Sequence, residues 1–336
     1  MNDQLSGGIM NNNKRAMLVL PLLLVVTMLV SVPAFSQAPV VATPSGGAAD
    51  PADRNAAVGS TQGRLVVEAT GGVEAVATAS TDFAGEWVVL NFEDRMERGN
   101  GSELADYLGI PFNAAGRMRA ETYDANEWGT QEFQCRPHPM PYQWRAQGAA
   151  RISKEIDPVN RQLKAYHIAF VRSLDRPIYM DGRPHPPEYA PHTWSGFSTA
   201  EFDGNTLVVT TTHLKEGYFR RNGPTMSDQA KLTEWFVRHG DYFTITSYLD
   251  DPIYLEEPLI QSVSYRWEPH TELEYFPCTV VRENITDNIP HFLPGKNPFL
   301  REFAEGSGLP YEATRGGAET LYPDYREKLK KMKASN

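Results

Sequence analysis

The chain has 336 residues, with 32 Lys and Arg against 42 Asp and Glu, and 2 Cys. Its 41% hydrophobic, 11% aromatic and 22% charged residues exclude a disordered or disulfide-stapled class. A formal charge of -10 leaves no basic footprint for nucleic acid.

Residues 1–36 read as a signal peptide. Lys14 and Arg15 precede an almost wholly apolar run of 17 residues, Ala16 to Val32. Ala34-Phe35-Ser36 then offers small residues on either side of Phe35, ahead of a cleavage site after Ser36. The run is near the lower limit for a spanning helix, and Pro21 and the small-residue exit favour cleavage over anchoring. The expectation is an exported protein, periplasmic or extracellular, with no membrane insertion after cleavage. Export permits a disulfide between Cys135 and Cys278, preferred here to two buried thiols. A bridge over so long a loop stabilises by about 4 kcal/mol in the chain-entropy model.

Residues 37–82, rich in Ala, Pro, Gly, Ser and Thr, read as a flexible linker. One folded domain is expected over 83–326. Phe83 to Phe92 is dense in β-formers and reads as the first strand. A helix is expected near 113–125, with Asn113 as N-cap and Ala114, Ala115, Met118, Ala120 and Glu121 inside it. Residues 135–148 form a loop crowded by Pro137, Pro139 and Pro141. Strands are expected at 150–156, 162–171, 176–180, 196–202, 206–212, 231–238, 242–249, 259–267 and 273–281. Asp203-Gly204-Asn205 and His239-Gly240-Asp241 supply tight turns, and Tyr242 to Leu249 alternates with period two. Strands without intervening helices predict a mainly β fold, an antiparallel β-meander. Closure into a barrel removes exposed edges. Residues 283–326, with Pro290, Pro294, Pro298, Pro310 and Pro323, read as an extended C-terminal arm, and 327–336 as a basic tail.

The stretch 179–198 gathers Tyr179, Asp181, Arg183, His185, Glu188, His192, Trp194 and Ser198. Pro184, Pro186, Pro187 and Pro191 stiffen it, since each fixes its own φ. Stiff loops on rigid scaffolds often carry function, though the same stretch serves equally as a plain connector. His213 ends a strand. Arg220 precedes an Asn222-Gly223 turn, where a guanidinium suits an anionic group and a solvated loop tip is the plainer reading. There is no His-Glu-x-x-His, no Cys-x-x-Cys, no nucleophile elbow and no phosphate loop. A metal site from His185, His192 and His213 has no support in their spacing, so no metal and no cofactor are expected.

The first functional reading is a barrel pocket for a small, partly apolar ligand, with Tyr179, Arg183, Trp194, His213 and Arg220 as binding residues. The second is a cofactor-free lyase, isomerase or hydratase, with His185 or His192 as base and Asp181 assisting. The third is an envelope scaffold without a small ligand.

Several motifs carry a resemblance. They are Gly85-Glu86-Trp87, Cys135-Arg136-Pro137-His138, Met180 to Pro186, His192 to Ser198, Asp203 to Thr210, Pro290 to Gly295 and Arg315 to Thr320. On these, residues 83–326 resemble a widespread family of uncharacterised secreted bacterial proteins, which implies no particular activity. Gly85-Glu86-Trp87 is also similar to the Gly-x-Trp of lipocalin-like barrels. That resemblance implies a Trp closing the barrel base and fits apolar ligands and several enzyme chemistries alike.

Overall fold

The structure, a computed structural model, describes residues 81–90, 103–128, 135–145, 148–170, 175–271, 273 and 289–335. The expected signal peptide, nearly all of the linker, most of strand 273–281, and Cys278 lie outside them.

The strands are β1 (Gly85–Val89), β2 (Ala149–Ile156), β3 (Leu163–Phe170), β4 (Arg176–Tyr179), β5 (Phe197–Asp203), β6 (Thr206–Thr212), β7 (Gly217–Tyr218), β8 (Thr225–Met226), β9 (Lys231–His239), β10 (Tyr242–Asp250) and β11 (Leu259–Trp267). A closed barrel runs β1-β11-β10-β9-β6-β5-β4-β3-β2 and returns to β1, while β7 and β8 form a separate small hairpin. The barrel is mixed, which corrects the expected all-antiparallel meander: β4 and β5 pair in parallel, Ile178 against Ser198. Parallel neighbours cannot be joined by a tight hairpin and need a crossover. Residues 180–196 make that crossover.

Alternation sorts the side chains. Ile178, Ser198, Thr211 and Glu234 are buried, so Tyr179, Phe197, Thr199 and Thr212 face outward. The described interior is filled with rings. Phe83 stands edge-on to Tyr166, Phe236 and Phe243. Trp87 meets Phe243 at 4.5 Å between centroids, and Phe243 stacks on Tyr265 at 4.9 Å. Trp87 is fully buried, with Arg238 over its ring and its indole N–H donating to the Phe83 carbonyl at 2.9 Å. Gly85 is required beside it, because a Cβ there would lie 2.8 Å from the Trp267 indole nitrogen.

The insertion between β1 and β2 contains α1 (Ala114–Glu121), α2 (Ala125–Trp128) and a 3-10 turn at Tyr142–Arg145. The α1 helix starts as expected, Asn113 accepting from the Gly116 amide at 2.9 Å. The 3-10 turn sends Trp144 into the barrel, edge-on to Phe170 at 4.7 Å, Phe236 at 5.2 Å and Tyr265 at 5.8 Å. Residues 289–335 hold α3 (Glu302–Ser307), two 3-10 turns and α4 (Pro323–Ser335), which takes in residues 327–335 of the basic tail. They bond to the insertion: Asn297 donates to the Glu121 and Tyr123 carbonyls, and Arg315 pairs with Glu121.

Inside the rings lies a fully buried ion pair, Arg176 with Glu234, both 0% exposed. Arg176 also donates to Ser198 at 3.2 Å and Thr211 at 3.0 Å, and the Trp144 indole N–H donates to Glu234. Losing one partner of such a pair strands a buried charge at a cost of about 3–5 kcal/mol, whereas apolar replacement of both is often neutral. Urea unfolding is expected to show Glu234→Leu destabilised by about that amount, with Arg176→Met added to it recovering most of the loss.

Candidate functional site

The crossover 180–196 lies against the outer face of β4, β5 and β6, because the residues it touches are the outward ones. His185 reaches the hydroxyls of Thr199 on β5 (2.8 Å) and Thr212 on β6 (2.7 Å) and packs on Phe197. Gly196 returns the chain to β5. Its φ is +66°, and a Cβ there would sit 2.6 Å from Thr211 and 2.7 Å from the Thr212 carbonyl oxygen. Only glycine meets both demands at no steric cost.

His213 sits just past β6 with φ of +57°, an uncommon backbone for a side-chain-bearing residue. That conformation turns its ring toward the crossover. Nδ1 lies 2.8 Å from the Thr212 hydroxyl and Nε2 3.0 Å from the Pro187 carbonyl oxygen. His192 places Nδ1 at 2.8 Å from the Leu214 carbonyl oxygen, and its ring centroid lies 5.2 Å from that of His213. The structure thus brings His185, His192 and His213 into one cluster. Among the described residues no group of three His, Cys, Asp or Glu has the geometry to hold a metal ion.

The partners determine the protons. A carbonyl only accepts, so His213 carries a proton on Nε2 and, when neutral, accepts at Nδ1 from the Thr212 hydroxyl. Thr212 then accepts from His185 Nδ1–H, and His185 Nε2 accepts from the Thr199 hydroxyl. The result is one directed chain, Thr199 to His185 to Thr212 to His213 to Pro187. His192 donates from Nδ1, which leaves the lone pair on Nε2; that nitrogen has no partner among the described residues. A backbone carbonyl orienting one imidazole nitrogen and freeing the other is how a general base is held.

The remaining predicted residues divide. Asp181 and Arg183 form a two-bond ion pair, and Arg183 also lies 3.7 Å above the Tyr179 ring. Its bonds to Arg183 hold the Asp181 carboxyl at about 2, so Asp181 is committed as an anion. Tyr179 packs on Phe197. Tyr179, Arg183, His185 and His213 therefore lie on the outside of the barrel and do not line its interior. Trp194 is buried at the foot of the crossover, with the Lys215 ammonium 5.0 Å from its ring centroid. Arg220 lies between β7 and β8, near Asp106 and Arg145, on whose ionisation its charge acts. Cys135 opens the segment leading to His138, whose Nδ1 meets the Tyr218 hydroxyl at 2.5 Å.

Three functional-looking groups escaped the sequence reading. Glu234 and Arg176 are the buried pair, and His167 sits between Asp175 at 2.6 Å and Glu155 at 3.1 Å. The signal for Glu234 was present: a carboxylate in phase with Leu232 and Phe236 on the inward face of β9. A surface concavity of about 490 Å³ on α4 is lined by Asp324, Glu327, Lys328, Lys331 and Met332 and holds none of the predicted site residues.

Comparison with family models, with curated proteins and with solved structures finds no match to this chain.

The histidines should separate on titration. The Asp175 hydrogen bond raises His167, with Glu155 adding to it, whereas burial and then His213 lower His185. The His167 contribution to stability is full below the ordinary histidine value of about 6.5 and is lost as pH rises through its folded value. The His185 contribution is full above about 6.5 and is lost as pH falls through its folded value. Cε1–H NMR titration should place His167 above about 6.5 and His185 below it; the reverse order would contradict the assigned contacts.

Proposed function

We propose that the chain is an exported β-barrel protein that binds a small, partly apolar ligand, with the ligand site on the crossover outside the barrel. The reading is supported by one observation above the others: the described interior is occupied by rings from Phe83 to Trp144, while on the outer face His192 Nε2 has no partner among the described residues. Nearby, the crossover offers Tyr189, 90% exposed, and the aromatic pair Tyr179 and Phe197. Aromatic faces with a few oriented polar groups suit a small ligand that has an apolar body and one hydrogen-bonding end.

A second reading draws on the orientation of His192. In a cofactor-free lyase, isomerase or hydratase, His192 Nε2 would take the proton, with His213 next to it. Asp181 has no part in that reading, because Arg183 holds it.

Export and the Cys135–Cys278 bridge belong to the same proposal. Among the described residues no helix is long and apolar enough to cross a membrane. Intact-mass measurement of protein purified from its own envelope is expected to give a chain beginning at Gln37 and lighter by one pair of hydrogens than the reduced chain. Native mass spectrometry of the same sample is expected to find a retained small molecule that is lost in His192→Ala. Retention unchanged in His192→Ala would reject the outer-face site.

A further inference from the structure

We propose that His185 and His213, through the Thr212 hydroxyl they share, form an acid-released latch that holds the arch Pro184 to His192 of the crossover against the barrel. This goes beyond the ligand reading and needs no ligand.

Between Pro184 and His192, every described hydrogen bond from the arch to the barrel involves a histidine. His185 reaches out from the arch to Thr199 and Thr212. His213 reaches back from the barrel to the Pro187 carbonyl. His192 reaches the Leu214 carbonyl. The prolines at 184, 186, 187 and 191 have no amide proton to donate, so side chains do the tethering that backbone does elsewhere.

Thr212 is the shared element. Its single hydroxyl oxygen lies between two Nδ1 atoms, 2.7 Å from His185 and 2.8 Å from His213. One hydroxyl donates one proton. With both rings neutral the chain is satisfied. One added proton is also tolerated: on His185 it reverses only the Thr199 link, Nε2–H then donating to that hydroxyl, and on His213 it reverses the chain from Thr212 onward, so that His185 again donates from Nε2 to Thr199. A second proton sets two charges against each other. Both Nδ1–H groups would then occupy the lone pairs of the same oxygen, the Thr212 hydroxyl proton would lose its acceptor in the chain, and two imidazolium charges would face each other across that oxygen.

The charges around the cluster give no relief. On the crossover they are Asp181, Arg183 and Glu188; on β5, Glu201; past β6, Lys215 and Glu216. Asp181 is held by Arg183, and Glu216 is held by Arg119 and Tyr254. Among the described residues no carboxylate pairs with any of the three rings. His167 makes the contrast: two carboxylates flank it, and its charge is welcome. Burial and the neighbouring His213 both act against charge on His185, in the direction the latch requires. Release moves the His185 and His213 rings apart and removes that conflict, so acid favours the open arch.

The test is the backbone ¹⁵N order parameter of the arch amides in the full mature chain, compared at about pH 7.5 and about pH 5. The latch predicts values near 0.85 at the higher pH falling below about 0.6 at the lower, while β9 and β10 stay rigid. In Thr212→Val, which removes the shared hydroxyl from an outward position, the arch is expected to be mobile at both pH values. Equal rigidity of the wild-type arch at both pH values would overturn the proposal. So would a Thr212→Val arch that stays rigid, or loss of rigidity throughout β9 and β10 in step with the arch. The wild-type comparison decides alone if the variant does not fold.

Discussion

The Arg176–Glu234 pair is the constraint around which the rest of this barrel is arranged. Two opposite charges with no solvent exposure must be matched by geometry, because desolvation costs each several kcal/mol. The match draws on four barrel strands and the insertion: Arg176 on β4, Ser198 on β5, Thr211 on β6, Glu234 on β9, and Trp144 from the 3-10 turn. A one-residue slip of any of those strands would turn its member of the network outward. The pair thus ties strand register to the docking of the insertion. Arg145, beside Trp144, extends the link by donating to the Phe219 carbonyl and to Gln261.

Filling the interior moves the chemistry outward. With rings packed from Phe83 to Trp144, the polar groups left accessible are those on the outer wall. The parallel step from β4 to β5 obliges the chain to cross that wall with a long connection. The same alternation that buries Ser198 and Thr211 against Arg176 turns Thr199 and Thr212 toward His185. The buried ion pair and the histidine cluster are therefore opposite faces of the same two strands, and the register that satisfies one also positions the other.

Much of the fold was legible in the sequence. The strands from β2 to β6 and from β9 to β11 fall close to their expected ranges, because β-formers and Gly-containing turns act locally. Asn113 capped its helix for the same reason. Strand direction was not legible, since a period-two pattern is the same read either way, and so β4 and β5 were expected to be antiparallel. The 135–148 segment read as a proline loop, yet Tyr142 to Arg145 are all buried. Nothing local announces that a turn will enter a barrel. For the site, the crossover stood out by its prolines and side chains, and the cluster formed within it and just past β6. Its convergence depends on which residues of β5 and β6 face outward and on the left-handed backbone of His213, both of which are consequences of tertiary register.

The barrel depends on an interior closed around Trp144. The most direct measurement is the hydrogen exchange rate of the Trp144 indole N–H, compared with that of Trp235 on the outer face of β9. A proton donated to Glu234 inside a filled barrel should exchange only through global unfolding, at the rate of the slowest core amides, while Trp235 exchanges faster. Exchange of Trp144 as fast as Trp235 would mean an open, wet interior and would contradict the account.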